Sequence, residues 1–198
     1  MNKIKFATIG LLFLTLTSFA SNNLPKEFSD LLVRTGLTFQ KVSGLIDTKI
    51  IKNDQMNYEY AIKYPNKRFE IRYAIRPLDR LLNEYRLNQK NKKKGDILIN
   101  PNTRYYTLFQ AIILNISGGK LPEIRIFEKA AVKEEFNADW GATTFVELGK
   151  EFGQNYKYCM VLALHKNNLG DAYIFYLSDS TVGFNDLVDP YFYSLRFK

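Results

Sequence analysis

Two stretches of the chain alternate apolar and polar residues with the two-residue period of a β-strand. In 56–64 (MNYEYAIKY) Met56, Tyr58, Tyr60, Ile62 and Tyr64 interleave with Asn57, Glu59, Ala61 and Lys63. In 69–76 (FEIRYAIR) Phe69, Ile71, Tyr73 and Ile75 interleave with Glu70, Arg72, Ala74 and Arg76. Successive side chains of a strand point to opposite faces, so each stretch reads as a strand with one face buried and the other largely wet. Pro65-Asn66-Lys67-Arg68 is a suitable connection and makes the two a hairpin. A loop of those four residues sets Tyr64 opposite Phe69, Lys63 opposite Glu70 and Ala61 opposite Arg72, with Glu59 diagonal to Arg72. Ion pairs on such an exposed face are worth only about 0.2–1 kcal/mol each.

Helical spacing appears in four places. Phe28, Leu31 and Leu32 form a stripe that Gly36 can end through a left-handed turn. Leu78, Leu81, Leu82 and Tyr85 follow Pro77 over 77–89. The stretch 104–119 is apolar around most of its girth, which predicts a well-buried helix closed by Gly118-Gly119. Over 128–139, Val132 and Phe136 share one face and charges the other. Ile46, Ile50 and Ile51 suggest one more short strand.

The last third is denser. Residues 155–166 and 171–178 are apolar on both faces, the pattern of strands covered above and below in mid-sheet. The turn signal at 167–170 makes them antiparallel neighbours. Phe184, Leu187, Val188 and Tyr191 predict a helix interrupted near Asp189-Pro190, and 194–197 a closing strand. These elements make an α+β protein: an α/β/α sandwich with a central antiparallel sheet and helices on both faces.

The N-terminus changes where this fold is expected to operate. Lys3 and Lys5 precede an apolar run from Phe6 to Leu16, and Ser18-Phe19-Ala20 offers small residues for cleavage. That is the pattern of a secretory signal peptide over residues 1–20, too short for a span of roughly 20 apolar residues. The expected product is an exported protein, periplasmic or extracellular, with one domain over 21–198. Without Lys3 and Lys5 the basic residues still exceed the acidic ones, by +6. Such a balance favours anionic surfaces, and export argues against nucleic acid as the partner. The single cysteine, Cys159, excludes an intramolecular disulfide and is expected to be buried and unreactive.

Few chemistries have the residues they need. His165 is the only histidine. Cys159 and His165 share a strand face, but six residues at about 3.3 Å each hold them roughly 20 Å apart, where a nucleophile and base need about 3 Å. The chain has no G-x-S-x-G elbow, HExxH, CxxC, P-loop or dinucleotide fingerprint. No catalytic residue, cofactor or metal site is read from it. A carboxylate pair leaves no motif, so a hydrolase with an unrecognised carboxylate or serine site is the alternative reading.

Two candidate binding features remain. Lys90, Lys92, Lys93 and Lys94 lie within five positions ahead of Gly95, a polar loop with no apolar residue among them to dock on a core. Trp140, the only tryptophan, sits in ADWGATTFVEL between a helix and a strand. It reads first as an apolar plug at that joint, with Asp139 bracing the corner and Gly141 relaxing the backbone, and second as a platform on which a ligand could stack.

The order of elements after residue 128 also resembles a known group. Gly170, Ala172, Tyr173, Phe184, Pro190, Ser194, Leu195 and Phe197 carry a likeness to the PsbP-like fold, which includes an extrinsic subunit of plant photosystem II and a Ran-binding nuclear import factor. The resemblance covers roughly the last 70 residues. It implies an α/β/α sandwich with a binding or assembly role, and it transfers no active-site residue. The expectation is therefore a non-enzymatic binding or assembly module whose partner is another protein or an anionic envelope surface.

Overall fold

A computed structural model describes residues 24–41 and 43–198, so the expected signal peptide lies outside the described residues. Helix α1 (Lys26–Thr35) ends at Gly36, whose φ of +63° lets its N–H turn back to the carbonyls of Leu32 and Val33. Strand β1 (Leu37–Phe39) follows and pairs antiparallel with the last strand, β9 (Leu195–Phe197), as a separate two-stranded ribbon.

Seven strands form the main sheet. In chain order they are β2 (Ile46–Asp47), β3 (Tyr60–Lys63), β4 (Phe69–Pro77), β5 (Arg125–Ile126), β6 (Trp140–Glu147), β7 (Tyr158–Lys166) and β8 (Gly170–Ser178). Their order across the sheet is β2-β3-β4-β8-β7-β6-β5, every neighbour antiparallel. The two densest strands, β7 and β8, are mid-sheet neighbours as their composition predicts.

The hairpin register agrees with the reading from loop length: Lys63 faces Glu70, Ala61 faces Arg72, and Tyr64 N–H donates to the Phe69 carbonyl at 3.1 Å. The wet face does not. Seven consecutive residues of β4, Phe69 to Ile75, are buried, Glu70 and Arg72 among them. The reason lies in partners distant in sequence, because β8 pairs along the whole of β4 and the second face is covered as well.

One face carries Phe28 and Leu32 of α1, Val132 and Phe136 of α4 (Lys129–Phe136), Phe184 and Val188 of α6 (Phe184–Val188), and the β1–β9 ribbon. The other carries Phe109, Ile113 and Ile116 of α3 (Tyr105–Ser117) and Phe152 of α5 (Lys150–Gly153). Helices thus cover both faces of an antiparallel sheet in an α+β fold.

Other expectations need correction. Of the short strand expected from Ile46, Ile50 and Ile51 only Ile46 lies in one, β2, while Ile50 and Ile51 are exposed and outside any strand; the first hairpin strand starts at Tyr60, although Met56 and Tyr58 are buried ahead of it. Helix α3 buries one stripe only, and Tyr106 and Leu114 stay exposed because, among the described residues, the helix is covered along that stripe and not around its girth. Gly141 is in regular strand and has no positive φ. Its role is close approach: a Cβ there would stand 2.7 Å from Val132 Cγ2 and 3.0 Å from Phe127. The helix expected near 184–191 is α6 followed by a 3-10 turn at Asp189–Tyr191, broken where expected.

Candidate functional site

Strand pairing brings distant features to one end of the sheet. Pro77, the last residue of β4, pairs with Gly170, the first of β8; Lys166 at the end of β7 also pairs with Gly170, and His165 pairs with Trp140 at the start of β6. Helix α2 (Asp79–Lys90) leaves from this end, and residues 91–104 return to it before α3 begins.

The lysine run occupies the far side of that excursion. Lys90, the last residue of α2, and Lys92, Lys93 and Lys94 are all exposed. None of the four is ion-paired with another described residue. A tight turn holds the tip: Asp96 N–H donates to the Lys93 carbonyl at 3.2 Å, and Lys93 N–H donates to the Asp96 carboxylate at 2.8 Å. Gly95 supplies the φ of +101° this turn requires, and a Cβ built there would find no atom within 4 Å, so the tip projects into open space. Asp96 is the one carboxylate in the turn, and it lies at the turn's inner hydrogen bond.

The base of the excursion is fixed at both ends. On one side Leu78 and Leu82 are buried, and Leu78 N–H donates to the Leu169 carbonyl at 3.0 Å. On the other, Pro101 is buried and Asn102 clamps the β7–β8 turn reciprocally. Asn102 Nδ2 donates to Asn168 Oδ1 at 3.0 Å, while Asn168 N–H donates to Asn102 Oδ1 at 2.9 Å.

Trp140 belongs to this base and not to the lysine run. It is half-buried, with ring centroids of Tyr105 at 4.8 Å and of Tyr106 and Phe109 at 6.1 Å. Three aromatic rings from α3 therefore pack it as a joint. Asp139 braces the same corner as expected, its carboxylate accepting the Asn167 N–H at 2.9 Å.

His165 lies beneath this joint, 1% exposed, with Tyr105 stacked 4.3 Å from its ring. Its Nδ1 is 2.6 Å from the Asp171 carboxylate and its Nε2 is 3.2 Å from Asn167 Oδ1. Both ring nitrogens are engaged within the fold, so the pair buttresses the sheet end and presents no atom to a ligand. Cys159, on the same strand, is fully buried, and burial pushes its thiol well above the ordinary value.

The buried Glu70 and the partly buried Glu59 are likewise committed. Glu70 accepts from Arg72 Nε at 2.6 Å, and Glu59 accepts from Arg76 Nη1 at 2.8 Å and from Ile75 N–H at 2.9 Å. Desolvation still leaves the Glu59 carboxyl raised, with Arg76 and the Ile75 N–H opposing it. Among the described residues no three His, Cys, Asp or Glu side chains lie close enough to hold a metal ion. At the opposite end of the sheet an open groove of about 460 Å³ runs along Thr143, Phe145, Met160 and Phe184, with Glu123 and Arg125 at its rim. No pair of carboxylates converges there.

Sequence reasoning did not anticipate the exposed apolar residues beside the lysines. Leu87 in α2 is 51% exposed, Ile97 88% and Ile99 63%. A usable signal was present in ILIN (97–100), an apolar run joined to a lysine run and fitting neither helical nor strand spacing with its neighbours. No protein-family model, curated protein or solved structure matches this chain.

Proposed function

We propose that the protein is an exported, non-enzymatic binding or assembly module that attaches to an anionic surface through Lys90, Lys92, Lys93 and Lys94. The observation that carries this reading is the presentation of the run: four exposed ammonium groups without carboxylate partners among the described residues, on an excursion whose two ends are tied to the sheet end at Leu78 and at Pro101-Asn102. Clustered charge of one sign attracts an opposite surface at long range. Export is supported by the residues 1–20 pattern, and a PsbP-like arrangement by the element order after residue 128. The hydrolase alternative draws no comparable support, since the partly buried Glu59 and the buried Glu70 are each paired with an arginine and the buried Asp171 is engaged by His165 Nδ1.

Carboxylated beads, which present charge without an apolar interior, test the reading. The parent protein should bind them at low salt and release at 1 M, where the Debye length is about 3 Å. The variant with all four lysines changed to Gln should bind much more weakly while unfolding within about 0.5 kcal/mol of the parent, as exposed substitutions usually do. Equal binding by the quadruple variant would reduce the run to solvated charge.

A further inference from the structure

The excursion that carries the lysines also carries the apolar side chains of Ile97 and Ile99, 88% and 63% exposed, directly after the turn at Lys93–Asp96. Leu87 stands three residues before Lys90 on α2 and is half exposed, which puts it on the same helix face as that lysine. Ile97 and Ile99 belong to no regular element, and Leu98 between them is partly covered. Leaving apolar side chains this exposed in water costs free energy, and four cations without ion-pair partners among the described residues keep this edge from settling into a dry apolar core, where each would be buried unpaired. Elsewhere on the surface Val33 and Val182 have no lysine beside them, and the less exposed Ile50 and Ile51 are flanked by two lysines, Lys49 and Lys52, where Ile97 and Ile99 follow four.

Cations next to projecting aliphatic side chains match one kind of surface in both respects. The interface of an anionic bilayer offers phosphate oxygens to ammonium groups and, a few ångströms deeper, hydrocarbon to isoleucine. Lysine stems are themselves apolar and reach the headgroup layer while the tip of the turn enters it. The open space around Gly95 leaves that approach clear, and the Asn102–Asn168 clamp and buried Leu82 keep the excursion from folding back onto the core.

We propose that residues 87–99 form a membrane-docking edge, in which Lys90, Lys92, Lys93 and Lys94 engage the headgroups of anionic phospholipids while Ile97 and Ile99 insert into the interfacial layer. The proposal rests on the anionic-surface reading above and names that surface as a lipid bilayer. Each lysine held at such a surface strengthens binding about fivefold, and each inserted isoleucine by on the order of tenfold.

The experiment is cosedimentation of the full mature chain with vesicles of phosphatidylcholine alone or with about one third phosphatidylglycerol, an anionic content that makes the surface potential decisive. The carboxylated beads serve as the arm without hydrocarbon. The parent should bind the phosphatidylglycerol vesicles at least tenfold more tightly than the neutral ones. Ile97→Ser/Ile99→Ser should lose at least tenfold on phosphatidylglycerol vesicles and bind the beads as the parent does. Unchanged melting of that variant, whose altered side chains are exposed, shows that its fold is intact. If it bound vesicles like the parent, the membrane assignment would be overturned and the electrostatic reading would stand. If the lysine variant bound beads and vesicles like the parent, both readings would fall.

Discussion

Arg72 shows how a single residue departs from its pattern. In the alternation of β4 it occupies a polar position, yet it is 1% exposed. Its guanidinium donates to Glu70 at 2.6 Å and to the Phe152 carbonyl at 2.5 Å, and lies 4.9 Å and 4.8 Å from the rings of Tyr58 and Phe152. A buried cation survives only with such partners, because its desolvation cost must be met locally. Arg72→Ala strands the Glu70 carboxylate in the core and should cost about 3–5 kcal/mol in urea denaturation. Replacing both, as Glu70→Leu/Arg72→Met, should cost clearly less than Arg72→Ala alone, because no charge is left unpaired. A double variant as unstable as the single one would show that the ring and carbonyl contacts, and not the ion pair, hold this site. The residue types that make Arg72 internal were all visible in the chain. What was not visible was that Phe152, 80 positions away, comes to its side.

At the scale of elements, legibility followed locality. The β3–β4 register could be read because a four-residue loop fixes which residues face each other, and the α1 stop could be read from one glycine. The short strands β1 and β5 have too few residues to show a period, and while β9 was legible as a closing strand and Ile46 of β2 as part of a short one, the pairing of all four is set by distant partners. The girth of α3 misled for a related reason: apolar composition reports how much a helix could bury, while the layer it lies in decides how much it does. Of the candidate site, the lysines and the joint at Trp140 were legible. The exposure of Ile97 and Ile99 was not, since it depends on what fails to cover them. Glycines separate in the same way. Gly170 in β8 lacks positive φ, but a Cβ there would lie 2.7 Å from the Arg76 carbonyl oxygen and 2.7 Å from Thr35 Cγ2. Gly170→Ala must therefore push apart β4 and α1 and should cost about 1–3 kcal/mol by thermal or urea unfolding. Adding Thr35→Ser, which removes the methyl, should recover only part of that loss, because the backbone oxygen remains. Full recovery would place the whole conflict on the side chain.

Across the whole molecule, the two layers do different work. The face under α1, α4 and α6 is closed by the β1–β9 ribbon, which ties residue 37 to residue 197, while the α3 face carries the buried Arg72–Glu70 pair. Among the described residues no helix is long and apolar enough to cross a membrane. The sheet order bears on how fast the chain can reach this state. Strands β6, β7 and β8 are successive neighbours, joined through short connections, whereas β4 meets β8 across 93 to 109 residues. Closing a long loop before its contacts form slows folding. The meander β6–β7–β8 should therefore assemble first and the β3–β4 hairpin dock on it afterwards. Val161→Ala in β7 should slow refolding in stopped-flow experiments, and Ile71→Val in β4 should act mainly by speeding unfolding. The opposite assignment would mean that the long-range seam between β4 and β8, although it spans half the chain, is already made at the barrier.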